Sequence, residues 1–199
     1  MEEQGKTVIL LTDGERVLVL FAVADTVKDS SRAAIRALHE LGIKTVMLTG
    51  DNAHTARAIA AQVQIDEALG DQLPEDKLRA IERYAQTGKV GMVGDGINDA
   101  PALARADIGF AMGAAGTDTA IETADVALMD DDLNKIARFV RLSRTTRTVL
   151  VQNIALALGI KVVFLALTLL GMGTMWMAVF ADMGASLLVV ANALRLVRR

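Results

Sequence analysis

At 199 residues the chain has room for one domain or a little more, and 52% hydrophobic content with only 4% aromatic makes its apolar residues mostly aliphatic. The absence of cysteine excludes disulfides and thiolate metal sites. The net charge of −3 hides two bodies: residues 1–137 carry 13 Lys/Arg against 23 Asp/Glu, net −10, and residues 138–199 carry 8 against 1, net +7.

The opening Met1-Glu-Glu-Gln-Gly-Lys is polar and acidic, unlike a secretory leader. Thr7–Leu11 and Val17–Val23 are β-rich runs separated by Thr12-Asp-Gly-Glu-Arg16, which predicts a hairpin with Asp13 in its turn. The competing reading makes Asp13 a nucleophile at a strand end, but the residues after it lack the hydroxyl-bearing Thr that such a site would carry. A helix capped by Asp29 or Ser30 runs to about Leu41, with Gly42 as its stop.

A strand Lys44–Leu48 then ends in Thr49-Gly50-Asp51-Asn52 and opens a helix over Ala53–Val63. A Thr-Gly-Asp turn at that place either holds a phosphoryl oxygen, through the hydroxyl and the amide hydrogens of a helix N-terminus, or simply caps the helix. Leu73-Pro74 starts a helix to about Gln86. Lys77 in its first turn opposes the helix dipole, so its ammonium either points back at an anion or is solvated.

The densest motif is Val90-Gly-Met-Val-Gly-Asp-Gly-Ile-Asn-Asp-Ala-Pro101. The apolar run Val90–Val93 reads as a buried strand that delivers Asp95, between Gly94 and Gly96, to its C-terminal edge, where open α/β sheets bind ligands. Asp99, just after Asn98, lies at the start of the next helix, close enough to share a cation with Asp95. Two carboxylates of this kind beside a phosphate suit Mg²⁺. A short helix to about Arg105, a strand Ile108–Ala111, a helix from Gly116-Thr117-Asp118, a strand Ala124–Leu128 and an Asp130-Asp-Asp-Leu133 cap complete the body. Strands alternating with helices predict a parallel α/β sheet. His39 and His54 are expected at the surface.

From residue 149 the character changes. Residues 149–170 and 175–194 are each about long enough to cross a bilayer, joined by the uncharged Gly171-Met-Gly-Thr174. The basic stretch 138–148, with Arg138, Arg141, Arg144 and Arg147, precedes the first span, and Arg195, Arg198 and Arg199 follow the second. The positive-inside rule therefore places both flanks and the soluble body in the cytoplasm. Lys161 and Asp182 interrupt the spans at about 15 Å and 12 Å from the turn, near mid-bilayer. Each costs on the order of 3 kcal/mol there, so they should face each other or a polar cavity, either as a static bridge or on an ion pathway.

These motifs resemble those of the P-type ATPases, ion pumps whose phosphorylation domain is of haloacid-dehalogenase type, and the whole chain is similar to the C-terminal part of the zinc/cadmium/lead exporters. The resemblance implies an α/β, haloacid-dehalogenase-like (Rossmannoid) fold followed by a two-helix transmembrane hairpin. Residues 1–24 would be the return from a nucleotide-binding domain, 25–137 the C-terminal part of the phosphorylation domain and 195–199 a basic cytoplasmic tail. It implies Asp95 and Asp99 as Mg²⁺ site, with Gly94, Gly96 and Asn98 around it, Thr49, Gly50 and Asp51 as phosphate and nucleotide-hinge motif, and Lys77 on the transferred phosphoryl group. In the membrane it implies Asp182 as ligand of a transported Zn²⁺, Cd²⁺ or Pb²⁺, with Lys161 its counter-ion. ATP as co-substrate, an inner or plasma membrane location, a complementary N-terminal portion as partner and no nucleic acid follow from the same resemblance. Asp is harder than the donors of copper-type members and suits Zn²⁺ better than Cu⁺. No Asp-Lys-Thr-Gly-Thr occurs in the 199 residues, so the phosphorylated aspartate would have to come from elsewhere. A membrane-tethered Mg²⁺/phosphate-binding module without turnover is the alternative.

Overall fold

The computed structural model of the chain describes residues 7–23, 27–95, 97–113 and 118–197. Gly96, Gly116, Thr117, Arg198 and Arg199, named above, lie outside them. The chain divides into two compact units at Ala137/Arg138.

In the first unit, β1 (Thr7–Thr12) and β2 (Val17–Val23) form the expected antiparallel hairpin. Asp13 makes its turn, its Oδ1 accepting the N–H groups of Glu15 and Arg16 at 3.0 and 2.9 Å. Those amide hydrogens, Arg16 first, hold its carboxyl below the usual carboxylate range. An Asp committed to its own turn is not the exposed nucleophile of the competing reading.

Helix α1 (Asp29–Glu40) is preceded by Lys28 at the capping position, so Asp29 lies inside the first turn, where its charge suits the helix dipole, and neither Asp29 nor Ser30 is the cap. Strand β3 (Val46–Leu48), α2 (Ala53–Val63) and β4 (Glu67–Leu69) form a parallel crossover unit. α3 (Pro74–Ala85) leads to β5 (Gly91–Gly94), then through a 3-10 turn (Ile97–Asp99) to α4 (Ala100–Arg105). β6 (Ile108–Met112), α5 (Asp118–Thr123) and β7 (Val126–Leu128) follow. β5, β6 and β7 pair in parallel in that order, with Val93 opposite Phe110, and the parallel α/β expectation holds.

β6 explains why this sheet is the centre of the unit. Gly109, Phe110 and Ala111 are all buried, the mark of a strand covered on both faces. Ala111 joins Met92, Ile81, Ala102 and Leu103 on one face, while Phe110 joins Leu128 and Ile136 on the other. Among the described residues β3–β4 is not hydrogen-bonded to β5–β6–β7, although Leu48 of β3 packs on the first of these clusters.

In the second unit, α6 (Asn134–Leu169, which begins in the first unit) is one continuous helix of 36 residues, so the basic stretch 138–148 and the first apolar span are not separate elements. α7 covers Met175–Ala193 and closes in a 3-10 turn, Leu194–Leu196. Both helices are long and apolar enough to cross a membrane. They leave Leu169 and Met175 80% and 84% exposed, surface that only lipid or more protein would cover.

Candidate functional site

Three strand ends of the first unit carry the same signature: Leu48-Thr-Gly-Asp51, Leu69-Gly-Asp71 and Val93-Gly-Asp95. The middle one escaped sequence reading, because Glu67-Ala-Leu is short and lacks β-branched residues. It forms a clasp with the first. The N–H of Asp71 donates to the Asp51 carbonyl at 2.7 Å and that of Gln72 to the Thr49 carbonyl at 3.0 Å, while Asp71 Oδ2 accepts the N–H of Ala53 at 3.2 Å. A Cβ on Gly70 would stand 2.6 Å from the Ala53 backbone, so only glycine admits so close an approach. Asp71 adopts φ 55°, a sparsely populated conformation for a non-glycine residue that here aims its carboxylate at α2.

Within this clasp the Thr49 hydroxyl donates to Asp51 Oδ2 and accepts the Asp51 N–H, both at 3.1 Å. Helix α2 is capped by Asn52, whose Oδ1 accepts the N–H groups of His54 and Thr55. The Thr-Gly-Asp turn is therefore locally self-satisfied, with Gly50 and Asp51 exposed.

The third strand end is held differently. Asp99 folds back over β5, so that a Cβ on Gly94 would lie 2.7 Å from Asp99 Cβ and 3.1 Å from its Oδ2. Glycine at 94 is what lets this carboxylate approach the strand end that carries Asp95. Lys77 Nζ donates to Asp99 Oδ1 at 2.7 Å, with 16% and 12% of the two side chains exposed. Of the two readings of Lys77, solvation is overturned: the ammonium lies against an anion, across 22 residues of sequence. Asp95 and Asn98 are exposed beside this buried pair. One free and one paired carboxylate at a strand end fit Mg²⁺, which takes one or two carboxylates and completes its shell with water and substrate phosphate. No group of three or more acidic or histidine side chains is placed to hold a metal ion by itself among the described residues.

His39, expected at the surface, is instead half-buried, its Nε2 3.0 Å from Asp66 Oδ2 and 3.1 Å from Thr45 Oγ1. His54 is exposed.

In the second unit Lys161 and Asp182 line one cavity of about 280 Å³ between α6 and α7, walled by Phe164, Thr168, Met177 and Ala185 among others. No ion pair joins the two charges among the described residues. A polar contact ties the helices together nearer their other ends: Asn192 Nδ2 donates to Asn153 Oδ1 at 2.9 Å and Gln152 Oε1 at 3.3 Å. Its signal was present as amides inside otherwise apolar runs.

A family model for haloacid dehalogenase-like hydrolases matches residues 1–107, more than half of the chain. Over its whole length the chain is 54% identical to a probable cadmium-transporting ATPase of Listeria monocytogenes and 48% identical to the zinc/cadmium/lead-transporting P-type ATPase of Escherichia coli K12. It spans 28% and 27% of the length of these curated relatives. The crystal structure of a zinc-transporting PIB-type ATPase in the E2.Pi state superposes with a TM-score of 0.89 at 48% identity, covering 98% of this chain and 32% of that one.

Proposed function

The chain belongs to the haloacid dehalogenase-like hydrolase family, with homology to cadmium- and zinc-transporting P-type ATPases over its full length, and from that premise we propose that it is the Mg²⁺-holding and metal-site portion of a pump that couples ATP hydrolysis to export of Zn²⁺, Cd²⁺ or Pb²⁺. The observation that carries the reading is the single cavity lined by Lys161 and Asp182 between two membrane-length helices. Ionisable groups at that depth are costly, and a cavity shared by the two charges is what makes them tolerable and useful.

In this proposal Asp182 offers carboxylate oxygens to the transported cation and Lys161 balances the acid's charge when the cation has left. In the soluble unit, Asp95 and Asp99 would hold Mg²⁺, and the chemistry it would supply is neutralisation of phosphate charge. Lys77, fixed by Asp99, presents an ammonium toward the phosphoryl group, and Thr49, Gly50 and Asp51 border it. Phosphoryl transfer requires positioning and charge neutralisation around a nucleophile. The chain's residues supply the second requirement, and the phosphorylated aspartate belongs to the complementary portion of the pump. The soluble unit and both ends of the α6–α7 pair away from the turn face the cytoplasm.

Co-expression with the complementary portion of a related pump tests this. Zn²⁺- or Cd²⁺-stimulated ATP hydrolysis is expected to appear, and to vanish with Asp182→Ala. Equal stimulation with Ala at 182 rejects the transport site. The second reading is a tethered Mg²⁺/phosphate-binding module without turnover. It predicts binding of a phosphate analogue that depends on Asp95, and no hydrolysis with any partner.

A further inference from the structure

Three amide side chains, those of Gln152, Asn153 and Asn192, join α6 to α7 at the end of the pair away from the turn. We propose that Asn192 is a positioning residue: it locks the register of α7 against α6 and so brings Lys161 and Asp182 to one cavity. The inference rests on the reading of that cavity as the cation's site.

The geometry of the amides comes first. Asn192 uses both ends of its side chain: Oδ1 accepts from Arg195 Nη1 at 3.0 Å, and Nδ2 donates to Asn153 Oδ1 at 2.9 Å and to Gln152 Oε1 at 3.3 Å. A guanidinium only donates, so Arg195 takes the amide oxygen and turns the NH₂ group toward α6. Gln152 and Asn153 are consecutive and therefore about 100° apart around their helix. A single donor group that reaches both is satisfied in one rotational setting of the two helices.

Distance comes second. Asn153 lies 18 residues before Gly171 and Asn192 lies 18 residues after Thr174, about 27 Å of helix on either arm. The turn fixes one end of this frame, with Gly171 at φ 76° and the Thr174 hydroxyl oxygen accepting the Met177 N–H at 3.3 Å, and the amides fix the other. Between them Lys161 stands eight residues from Asn153 and Asp182 ten from Asn192, about 12 Å and 15 Å, so the two charges reach nearly one level. A slip of one residue would turn Asp182 about 100° around α7 and carry its carboxylate off the cavity.

Apolar packing around the cavity does not supply this register. To it α7 presents Ala178, Ala181 and Ala185, small side chains that let helices approach closely but offer no large knob to interlock. Asn153 and Asn192 are half-buried where the helices meet. A polar side chain in apolar surroundings that finds its partners in one register excludes the others, because a slipped amide is left unsatisfied.

The test uses the full chain in a non-ionic detergent and takes two readings. The chain has no cysteine, so Val162→Cys/Met183→Cys carries spin labels at those two sites alone. Both side chains are 63–64% exposed and adjoin Lys161 and Asp182 in sequence. Their separation by double electron–electron resonance is expected to be one narrow distribution, which Asn192→Leu and Asn153→Leu each broaden or split. In calorimetric titration of Cd²⁺ into the unlabelled chain, Asn192→Leu is expected to weaken binding about fivefold, and Asn192→Gln, which keeps the amide, to retain most of it. Asn153→Leu/Asn192→Leu should be no worse than either single variant, since both remove the same contact. A narrow, unshifted distance in Asn192→Leu, or undiminished Cd²⁺ affinity with only the unfolding midpoint lowered, overturns the positioning role. Asp182→Asn separates the underlying reading: undiminished Cd²⁺ affinity there removes the cation site and the positioning role with it, whereas loss with Asp182→Asn but not with Asn192→Leu overturns the positioning role alone.

Discussion

Two of the lysine–aspartate couples among the described residues contrast, one closed and buried, the other open around a cavity. Lys77 and Asp99 meet at 2.7 Å, almost wholly buried at the end of β5. Lys161 and Asp182 share a cavity between α6 and α7 without an ion pair. A buried pair in contact has exchanged water for each other, so neither partner can be removed alone without stranding a charge. A couple held apart around a cavity keeps the acid's oxygens available to a cation. The same two residue types thus stand in contact in one unit and apart around a cavity in the other, where the proposed function would make them a cation's ligand and its counter-ion.

The closed couple is the place to break first. Lys77→Ala should destabilise the soluble unit by about 3–5 kcal/mol in chemical denaturation, because Asp99 stays buried and unpaired. Removing both charges with Lys77→Met/Asp99→Asn should recover much of that loss, and a double-mutant cycle showing simple additivity would mean that the pair is not coupled. Gly94→Ala should cost about 1–3 kcal/mol in the same assay, since its methyl group would meet Asp99 at 2.7 Å and push the carboxylate off the strand end.

The open couple is sharpened by calorimetric titration of Cd²⁺ into the detergent-solubilised chain. Asp182→Asn should weaken binding by about tenfold or more, equivalent to about 1.4 kcal/mol, with an unfolding midpoint nearly unchanged. Undiminished Cd²⁺ affinity in that variant would leave the couple with no ligand role.

The smallest effect concerns acid stability. The Thr45 N–H, and after it the Thr45 hydroxyl, hold the Asp66 carboxyl below its ordinary value, so the folded state favours ionised Asp66. Its contribution is complete above the unfolded-state value and lost as pH falls through the lower folded one. Asp66→Asn should therefore lower stability modestly at neutral pH and flatten its fall toward acid, the two curves converging below about pH 4.

Much of this was legible in order along the chain. The hairpin, the starts and stops of α2 and α3, and the two apolar spans follow from turn chemistry, capping residues and run length, which are local properties. The basic stretch and the first span were read as two elements because charge changes there, but the backbone has no reason to break at that point: no Gly or Pro falls between Asn134 and Thr148. β4 was missed because three residues without periodicity carry no strand signal, although its Leu69-Gly-Asp71 ending repeats that of β5.

By itself the sequence determined which residues could do chemistry, since a Gly-Asp-Gly turn, a lysine in a helix's first turn and two charges inside apolar runs stand out against any background. Only the tertiary structure decided how they pair. Lys77 finds Asp99 across 22 residues, Asp71 reaches back to Ala53, and Asn192 finds Asn153 across a helical hairpin. Such partners depend on how strands and helices pack, and packing distance is not a function of separation along the chain.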